Sequence, residues 1–425
     1  MFALIDCNNF FVSCERTLDR SLEEKPVVVL SNNDGCVISR SKEAKDLGIP
    51  MGAPAFKYKS LFKEHGVVSF SPKFELYNFR SQQVMKIIQN YAPDFEAYSI
   101  DEAFLDLSGF LKYFNLQEYC KKIRIEILEE TKIPTSIGIA PSKTLAKLAN
   151  AIAKKFPDHF TDGICTLDTP EKIEKALRWV DIKDVWGIGR KLSEKMQNAG
   201  VFKAIDLFKM PEIWIRAQMG IHGIRMINEL KGIPQLEIES PSAKKSIAVT
   251  RSFIEMITEK EDLRERVETF AMHCAEKLRK QNSSCKIISV FVQTNRFRKE
   301  LGEYKNGFSM ILPNPSSSSI VLVKAANTIF EAIYKEGYHY KKAGVIISDF
   351  VPDNARLISL FDKDVDEKHV PIMKVVDFLN KKYGKDKIRL GSMTGKNTFG
   401  RTKLSPEYEE FLKNNTLPEA NYRFH

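Results

Sequence analysis

Residues 98–108 read YSIDEAFLDLS and place the adjacent pair Asp101–Glu102 between two apolar halves. Each half has the short apolar pattern of a β-strand. Neighbouring residues on a straight strand point to opposite faces, so both carboxylates can serve one site only where the backbone turns. The pattern therefore predicts a β-hairpin with Asp101 and Glu102 at its tip.

A third carboxylate, Asp6, closes the apolar strand at the start of the chain, which reads FALID over residues 2–6. Three converging carboxylates would suit two Mg²⁺ ions, because Mg²⁺ prefers oxygen ligands. Two such ions clamp the attacking and leaving oxygens of a phosphoryl displacement. On these residues alone, a metal site and a purely structural role for the carboxylates both remain open.

The composition is that of a cytoplasmic, multidomain globular protein. The 425 residues are 43% hydrophobic and carry a net charge of +10, which excludes a disordered chain. No apolar run approaches the ~18 residues of a membrane helix, and the N-terminus has no basic leader. The seven cysteines form no C-x-x-C pair, which argues against disulfides and structural zinc.

The order of elements divides the chain into three parts. Strands alternate with helices over residues 1–160, the pattern of an α/β or α+β core, and residues 168–232 are all helical. A polar stretch with Pro234 and Pro241 is typical of an extended linker. Residues 246–350 then predict one β-α-β-β-α-β unit, a four-stranded sheet with two helices on one face.

Positive charge is concentrated in the last of these parts. Residues 244–350 contain 18 basic and 12 acidic side chains, out of a net charge of +10 for the chain. A basic domain that follows a nearly neutral N-terminal part favours catalysis in the N-terminal part and a polyanion-binding surface on the basic domain. An ordinary soluble surface explains the same charge equally well.

Five motifs occur in a fixed order and together carry a resemblance. They are ALIDCNNFFVSCE (3–15), SNNDGCVISRS (31–41), FELYNFRS (74–81), YSIDEAFLDLSG (98–109) and SIGIAPSKTLAKLAN (136–150). The chain resembles the Y-family translesion DNA polymerases, and more closely the UmuC-type catalytic subunits of bacterial DNA polymerase V. The likeness extends over essentially the whole chain.

The resemblance implies an α+β multidomain fold, the right-hand polymerase with palm, small fingers, helical thumb and a β-α-β-β-α-β little finger. The implied boundaries are palm 1–20 and 75–166, fingers 21–74, thumb 167–233 with a helix-hairpin-helix, linker 234–243, little finger 244–350 and a C-terminal partner-binding region 351–425.

The resemblance also implies the catalytic groups. Asp6, Asp101 and Glu102 would be the catalytic carboxylates and, with the backbone carbonyl of Cys7, the ligands of two Mg²⁺ ions. In the pair Phe10–Phe11, the second ring would be the steric gate that collides with a 2′-hydroxyl, so Phe11 is the predicted gate.

Four cations are the predicted contacts of the nucleotide. Lys42, Lys45 and Lys154 fall where the family binds the triphosphate, although Lys45 lacks the bidentate fork of the Arg found in many relatives. Arg40 joins them through its proximity in sequence. Each of these side chains alone is most often a solvated surface residue.

Two segments are predicted to bind DNA. Gly187 and Gly189 let the backbone approach a phosphate at a helix N-terminus, and neighbouring cations would position the duplex without reading its sequence. In the little finger, basic side chains would give salt-sensitive contacts to the DNA backbone. The predicted DNA contacts are Gly187, Gly189, Arg190, Lys191, Lys244, Lys245, Arg251 and Arg296.

The tail segment ARLISLFD (355–362) resembles a sliding-clamp-binding peptide, with Leu357 where relatives carry Gln and with Leu360 and Phe361 as pocket-filling residues. The resemblance implies further partners: primer-template DNA, dNTP, a UmuD-type dimer and RecA.

The predicted function is error-prone, template-directed DNA synthesis across damaged bases in the SOS DNA-damage response. A catalytically inactive DNA-binding accessory protein of a repair complex is the alternative, although the intact carboxylates disfavour it. A cyclase or other nucleotidyl transferase with a palm-like core fits the helix-hairpin-helix and the basic domain poorly.

Overall fold

The computed structural model describes residues 1–240, 242–355, 366–384 and 387–392, together with Tyr408 and Phe411. The chain separates into two compact units, with the division after Ser242. Tyr408 and Phe411 belong to the first unit. The predicted clamp-binding residues Leu357, Leu360 and Phe361 lie outside the described residues.

The strands follow one another in two series. They are β1 (Phe2–Cys7), β2 (Val27–Leu30), β3 (Val37–Arg40), β4 (Val68–Phe70), β5 (Phe95–Ala97), β6 (Glu102–Asp106), β7 (Thr135–Ala140), β8 (Ile164–Thr166), β9 (Ser246–Ile257), β10 (Ser283–Thr294), β11 (Lys305–Ser316) and β12 (Tyr340–Pro352).

The helices cover the sheets and build the segment between them. They are α1 (Phe10–Leu18), α2 (Lys42–Asp46), α3 (Lys59–Glu64), α4 (Phe74–Gln89), α5 (Leu116–Thr131), α6 (Lys143–Lys155), α7 (Pro170–Trp179), α8 (Arg190–Asn198), α9 (Glu212–Met219), α10 (Ile221–Leu230), α11 (Lys260–Arg279), α12 (Ser319–Ile333) and α13 (Asp366–Tyr383).

The first strand lies at the centre of the main sheet of the first unit. The strand order is β5-β6-β1-β7-β8, and β1 pairs antiparallel with both β6 and β7. Ala3 and Ile5 point into the core that contains α4 and α5, whereas Phe2 and Leu4 point into the core that contains α6. Burial on both faces explains why this strand is almost continuously apolar in sequence.

Helix α6 lies unusually close to this sheet because β7 contains Gly138. A Cβ atom at Gly138 would come within 2.1 Å of the carbonyl oxygen of Ala146 and 2.3 Å of the backbone nitrogen of Asn150. The Asn150 amide also donates to the Ser136 carbonyl at 2.7 Å, which fixes the helix along the strand. Gly138 therefore sets the height of α6 above the sheet.

We expect the substitution Gly138→Ala to destabilise the protein by about 3 kcal/mol, since the contacts are backbone atoms that cannot move aside alone. Urea unfolding would measure the loss. Gly35→Ala is the matched control, because a Cβ atom there meets only Ser31 at an ordinary 3.5 Å. Equal stability of the two variants would contradict this account of the close packing.

A second, small sheet lies within residues 21–74. Its strand order is β3-β2-β4, with β2 antiparallel to β3 and parallel to β4. Val28 and Leu30 of β2 pack with Val37 and with Ala44 of α2, so this sheet has a core of its own. That core holds α2 in place at the edge of the first unit.

The first half of the predicted linker is bound to the first unit. The buried Glu229 accepts hydrogen bonds from the backbone nitrogens of Gln235 and Leu236 at 2.5 and 3.1 Å. The backbone nitrogen of Glu239 donates to Glu96 at 2.7 Å. These bonds fix residues 235–239, so the chain leaves the first unit only after them.

The second unit has the predicted β-α-β-β-α-β order. Its sheet runs β11-β10-β12-β9 with every neighbouring pair antiparallel, and α11 and α12 pack on one face. Val290 of β10 and Val345 of β12 point into the core. The residues next to them along each strand point to the other face of the sheet. The prediction of fold class is confirmed in this part of the chain.

Two aromatic residues near the C-terminus pack on the first unit. Tyr408 donates a hydrogen bond to Glu75 at 3.1 Å, and the ring of Phe411 contacts that of Phe79 edge-on at 5.3 Å. Both side chains are buried. These two side chains therefore pack on the first half of α4.

All seven cysteines are free thiols, as their scattered positions predicted. Within the described residues, no helix has both the length and the apolar character needed to cross a bilayer.

Candidate active site

The hairpin predicted from the sequence forms, and it brings the carboxylates to the end of β1. The register of β1 and β6 sets Asp6 opposite Glu102. The backbone nitrogen of Cys7 donates to the carbonyl of Asp101 at 2.9 Å, which ties the hairpin tip to the central strand. The backbone thus joins positions that are ninety-five residues apart in the chain.

Each carboxylate has its own hydrogen-bonding partner. Lys154 forms an ion pair with Asp6 at 2.5 Å. Lys147 donates to both carboxylate oxygens of Glu102, at 3.1 and 3.3 Å. Asp101 accepts from the hydroxyl of Ser99 at 2.6 Å.

Burial and mutual repulsion govern the protonation of this site. Burial raises the pKa of Asp6 to about 7 although the ammonium of Lys154 lowers it, and the charges of Glu102 and Asp101 raise it further. Burial, with the charge of Glu102, also raises the pKa of Asp101 against the opposing hydrogen bond from Ser99. Carboxylates that repel one another in this way are stabilised by any cation placed among them.

The donor set has the chemistry of a divalent-cation site. Hard carboxylate oxygens suit Mg²⁺, and so does a backbone carbonyl oxygen such as the one predicted at Cys7. The Cys7 thiol is a poor ligand because it is buried and burial raises its pKa well above the usual range. Over the described residues, no three acidic, imidazole or thiol groups are gathered at ligand distance, since the carboxylates bond to lysine and serine instead.

Three of the four predicted nucleotide cations lie close to this site. Lys45 on α2 donates to the Asn9 side chain at 2.5 Å. Its pKa is lowered by burial first and then by the charges of Arg40 and Lys154, while Asp6 raises it. Arg40, Lys45 and Lys154 therefore share one electrostatic environment beside Asp6. The fourth, Lys42, is exposed on α2.

The two adjacent phenylalanines have different environments. Phe10 is 3% exposed and belongs to the core beneath β1. Phe11 is half-buried, stacks on Tyr77 with ring centroids 4.5 Å apart, and meets Phe74 edge-on at 6.1 Å. Phe11 is thus a partly exposed ring that packs against Tyr77 and Phe74.

A buried polar network supports this aromatic stack, and the sequence analysis missed it. Tyr77 donates to Glu15 at 2.6 Å, and Lys73 forms an ion pair with the same carboxylate at 2.5 Å. Lys73 and Glu15 are 58 residues apart in the chain. No local pattern joins such a pair, so only the fold reveals it.

The predicted DNA contacts lie on both units. In the first unit, Gly187 has a φ of 93°, a conformation that favours glycine, and α8 begins at Arg190 immediately after Gly189. Arg190 and Lys191 are exposed. In the second unit, Lys244 and Lys245 precede β9 and are exposed, Arg251 is half-buried in β9, and Arg296 is exposed beyond the end of β10.

A cavity of about 770 Å³ in the first unit opens beside the carboxylates. Asp6, Glu102, Lys147, Lys154 and Trp186 are among its lining residues. Lys147 is not among the site residues predicted from the sequence. The sequence did contain a signal that Lys147 lies near the site. Lys147 and the predicted nucleotide contact Lys154 are seven residues apart in a helix and so share one face.

Family models match both units of the chain. The impB/mucB/samB family model matches residues 5–151, and the model of the C-terminal domain of the same family matches residues 244–360. The first match contains every predicted catalytic carboxylate.

Curated relatives match over nearly the full length. Protein UmuC of Salmonella typhimurium is 40% identical over 412 residues, which cover 96% of this chain and 97% of the relative. Protein ImpB of Salmonella typhimurium is 37% identical, with 91% and 92% covered. A DNA polymerase IV of Bacillus anthracis is 28% identical, with 91% and 92% covered.

Solved structures with the same fold include a Y-family DNA polymerase chimera built on Dbh, with a TM-score of 0.70 and 21% identity. It covers 83% of this chain and is itself covered completely. An insertion ternary complex of Dbh DNA polymerase aligns with a TM-score of 0.53 and 20% identity. These matches, with the 40% identity over 96% of the chain, place the protein in the impB/mucB/samB family of UmuC-type, Y-family translesion DNA polymerases.

Proposed function

We propose that this DNA-directed DNA polymerase extends primers across damaged template bases by two-metal nucleotidyl transfer at Asp6, Asp101 and Glu102. One observation carries the proposal: the β1–β6 register brings Asp6 opposite Glu102, and the Cys7–Asp101 backbone bond draws the third carboxylate to the same strand end. Gathering carboxylates from positions 95 residues apart at one strand end is costly through charge repulsion, and a bound cation would offset that cost.

Two Mg²⁺ ions would be held by the three carboxylates and the Cys7 carbonyl, and when bound they would stabilise the charge that develops on the α-phosphate. The remaining roles belong to side chains of this chain. Lys154 and Lys45 would bind the triphosphate as point charges, and Arg40 would bind it through its guanidinium fork. Lys154 would exchange its bond to Asp6 for one to phosphate.

The same proposal assigns the parts of the polymerase. The sheet around β1 supports a palm at 1–20 and 75–166, the small sheet supports fingers at 21–74, and helices α7 to α10 support a thumb at 167–233. The basic second unit would serve as the little finger at 244–350.

Both the thumb and the little finger would grip primer-template DNA through its phosphates. The Gly187–Gly189 turn with Arg190 and Lys191 would contact the duplex backbone from the thumb. Lys244, Lys245, Arg251 and Arg296 would do so from the little finger. Binding through these residues would be insensitive to sequence and sensitive to salt.

We further propose partners for residues 351–425. A UmuD-type dimer, a RecA filament and the sliding clamp are the partners that the family assignment supports, with Leu357, Leu360 and Phe361 as the clamp contact. These partners would bring the polymerase to damaged DNA during the SOS response.

Primer extension past an abasic site, with Mg²⁺ and all four dNTPs, tests the proposed function. We expect extension beyond the lesion when a RecA filament and a processed UmuD-type dimer are supplied. An undamaged template serves as the control for general competence. DNA binding without extension on either template would contradict the proposal and favour the inactive accessory protein.

We expect Phe11→Ala to raise ribonucleotide incorporation at least about 10-fold, because removing the ring opens the space that a 2′-hydroxyl needs. Steady-state insertion of rCTP and dCTP opposite dG measures the ratio. Phe11→Tyr is the matched control and should retain discrimination, since it keeps the ring. An unchanged ratio in Phe11→Ala would show that another group selects the sugar.

A further inference from the structure

Lys147 is held between the catalytic hairpin and the helical segment. Its ammonium donates to both oxygens of Glu102, at 3.1 and 3.3 Å, and its side chain is 19% exposed. The same ammonium lies 4.6 Å from the ring centroid of Tyr98 and 5.1 Å from that of Trp186. A cation with two aromatic faces and a carboxylate around it has few alternative positions.

The two rings are themselves fixed. Trp186 meets Tyr98 edge-on, with centroids 5.6 Å apart, and also contacts Phe104 at 6.1 Å. Tyr98 belongs to the hairpin that carries Glu102, whereas Trp186 directly precedes Gly187 of the turn before α8. A continuous chain of contacts therefore runs from the Gly187–Gly189 turn through Trp186 and Lys147 to Glu102.

We propose that Lys147 is a positioning residue that acts as a stand-in cation for Glu102, and that Trp186 holds it there from the helical segment. The inference deepens the proposed function and rests on it. In the metal-free protein, Lys147 keeps the Glu102 carboxylate oriented toward the end of β1. Lys147 would yield this carboxylate to a bound divalent ion, and the rings of Tyr98 and Trp186 would retain the lysine nearby.

This role has a signature that a merely structural lysine lacks. A cation beside a metal site weakens metal binding by like-charge repulsion, so removing it should tighten binding. Loss of the same cation leaves Glu102 free to rotate, so turnover should fall although metal binds better. A lysine that only stabilised the fold would not separate these two quantities in opposite directions.

The test compares Lys147→Met with the wild-type chain. Binding of Mn²⁺ to the DNA-free protein is measured by electron paramagnetic resonance, and kcat and the KM for dNTP are measured by primer extension. We expect the Kd for Mn²⁺ to fall about 3- to 10-fold and kcat to fall about 10-fold, with KM changed less than about 3-fold. An Mn²⁺ affinity that is unchanged or weaker would overturn the inference.

If Lys147→Met does not fold, variants of Trp186 test the same chain of contacts. Trp186→Ala should reduce kcat about 3- to 10-fold, and Trp186→Phe should restore it to within about 2-fold because a ring face is retained. Trp179→Ala is the matched control, since Trp179 lines the same cavity but packs on Phe156. Equal effects at the two tryptophans would overturn the role of Trp186.

The outcomes also separate this inference from the proposed function. A wild-type chain that extends no primer, even with its partners, contradicts the polymerase proposal. The Mn²⁺ measurement needs no turnover, so it still decides whether Lys147 competes with a divalent ion for Glu102. If the wild-type protein is active and the Lys147 and Trp186 variants match it in Mn²⁺ affinity and kcat, the inference is overturned and the polymerase proposal stands.

Discussion

Substituting Asp101→Asn should reduce primer extension by about 10³-fold or more while leaving the fold intact. The loss follows because the amide removes one negative charge from the set that would hold the metals, and such charges act on the transition state directly. The fold should survive because both structural contacts of Asp101 remain possible. Its carbonyl still accepts from Cys7, and the Asn side-chain oxygen can still accept from Ser99.

Single-turnover extension with excess enzyme measures this loss, and urea unfolding verifies that stability changes by less than about 1 kcal/mol. Asp106→Asn is the matched control. Asp106 is the last residue of β6, the strand that begins directly after Asp101, and its carboxylate accepts from the backbone and hydroxyl of Ser108. Comparable losses in the two variants, or near-normal extension by Asp101→Asn, would contradict the carboxylate assignment.

The substitution Lys73→Met should lower the free energy of unfolding by about 3–5 kcal/mol. The side chains of Lys73 and Glu15 are 0% and 1% exposed, and their ion pair is 2.5 Å long. Removing the ammonium leaves the buried carboxylate of Glu15 without the cation of Lys73. The hydroxyl of Tyr77 still donates a hydrogen bond to it, but a neutral donor stabilises the charge much less. The cost of an unpaired buried charge exceeds that of a lost surface pair several-fold.

Thermal or urea unfolding measures this effect, and two further variants interpret it. The double variant Glu15→Gln with Lys73→Met removes both charges and should recover at least about half of the loss. Lys172→Met breaks an exposed pair with Asp168 and should cost less than about 1 kcal/mol. A loss in Lys73→Met no larger than that in Lys172→Met would show that the buried pair is not important for stability.

The local features of this protein were predictable because local patterns cause them. The turn at Asp101–Glu102 follows from two carboxylates interrupting an apolar run, and the β-α-β-β-α-β order follows from alternating periodicities over residues 246–350. Phe11 was separable from Phe10 through the family resemblance, and their difference in burial is consistent with that choice.

Long-range contacts were not predictable in the same way. The only sequence signal for Lys147 is a second lysine seven residues away on the same helix face. Its contacts with Tyr98 and Trp186 form only when the helical segment packs against the hairpin. The pair Lys73–Glu15 has no local signal at all, since the two residues lie in different elements 58 positions apart.

The positions of the carboxylates, the turn of the hairpin and the order of the elements can be read from the amino-acid sequence, because they depend on neighbours along the chain. The cations that pair with Asp6 and Glu102 are known only from the three-dimensional packing. The close approach of α6 over Gly138 carries Lys147 and Lys154 to Glu102 and Asp6. The attraction between two charges weakens as their distance grows, so a helix held about one methyl group farther away would weaken both ion pairs.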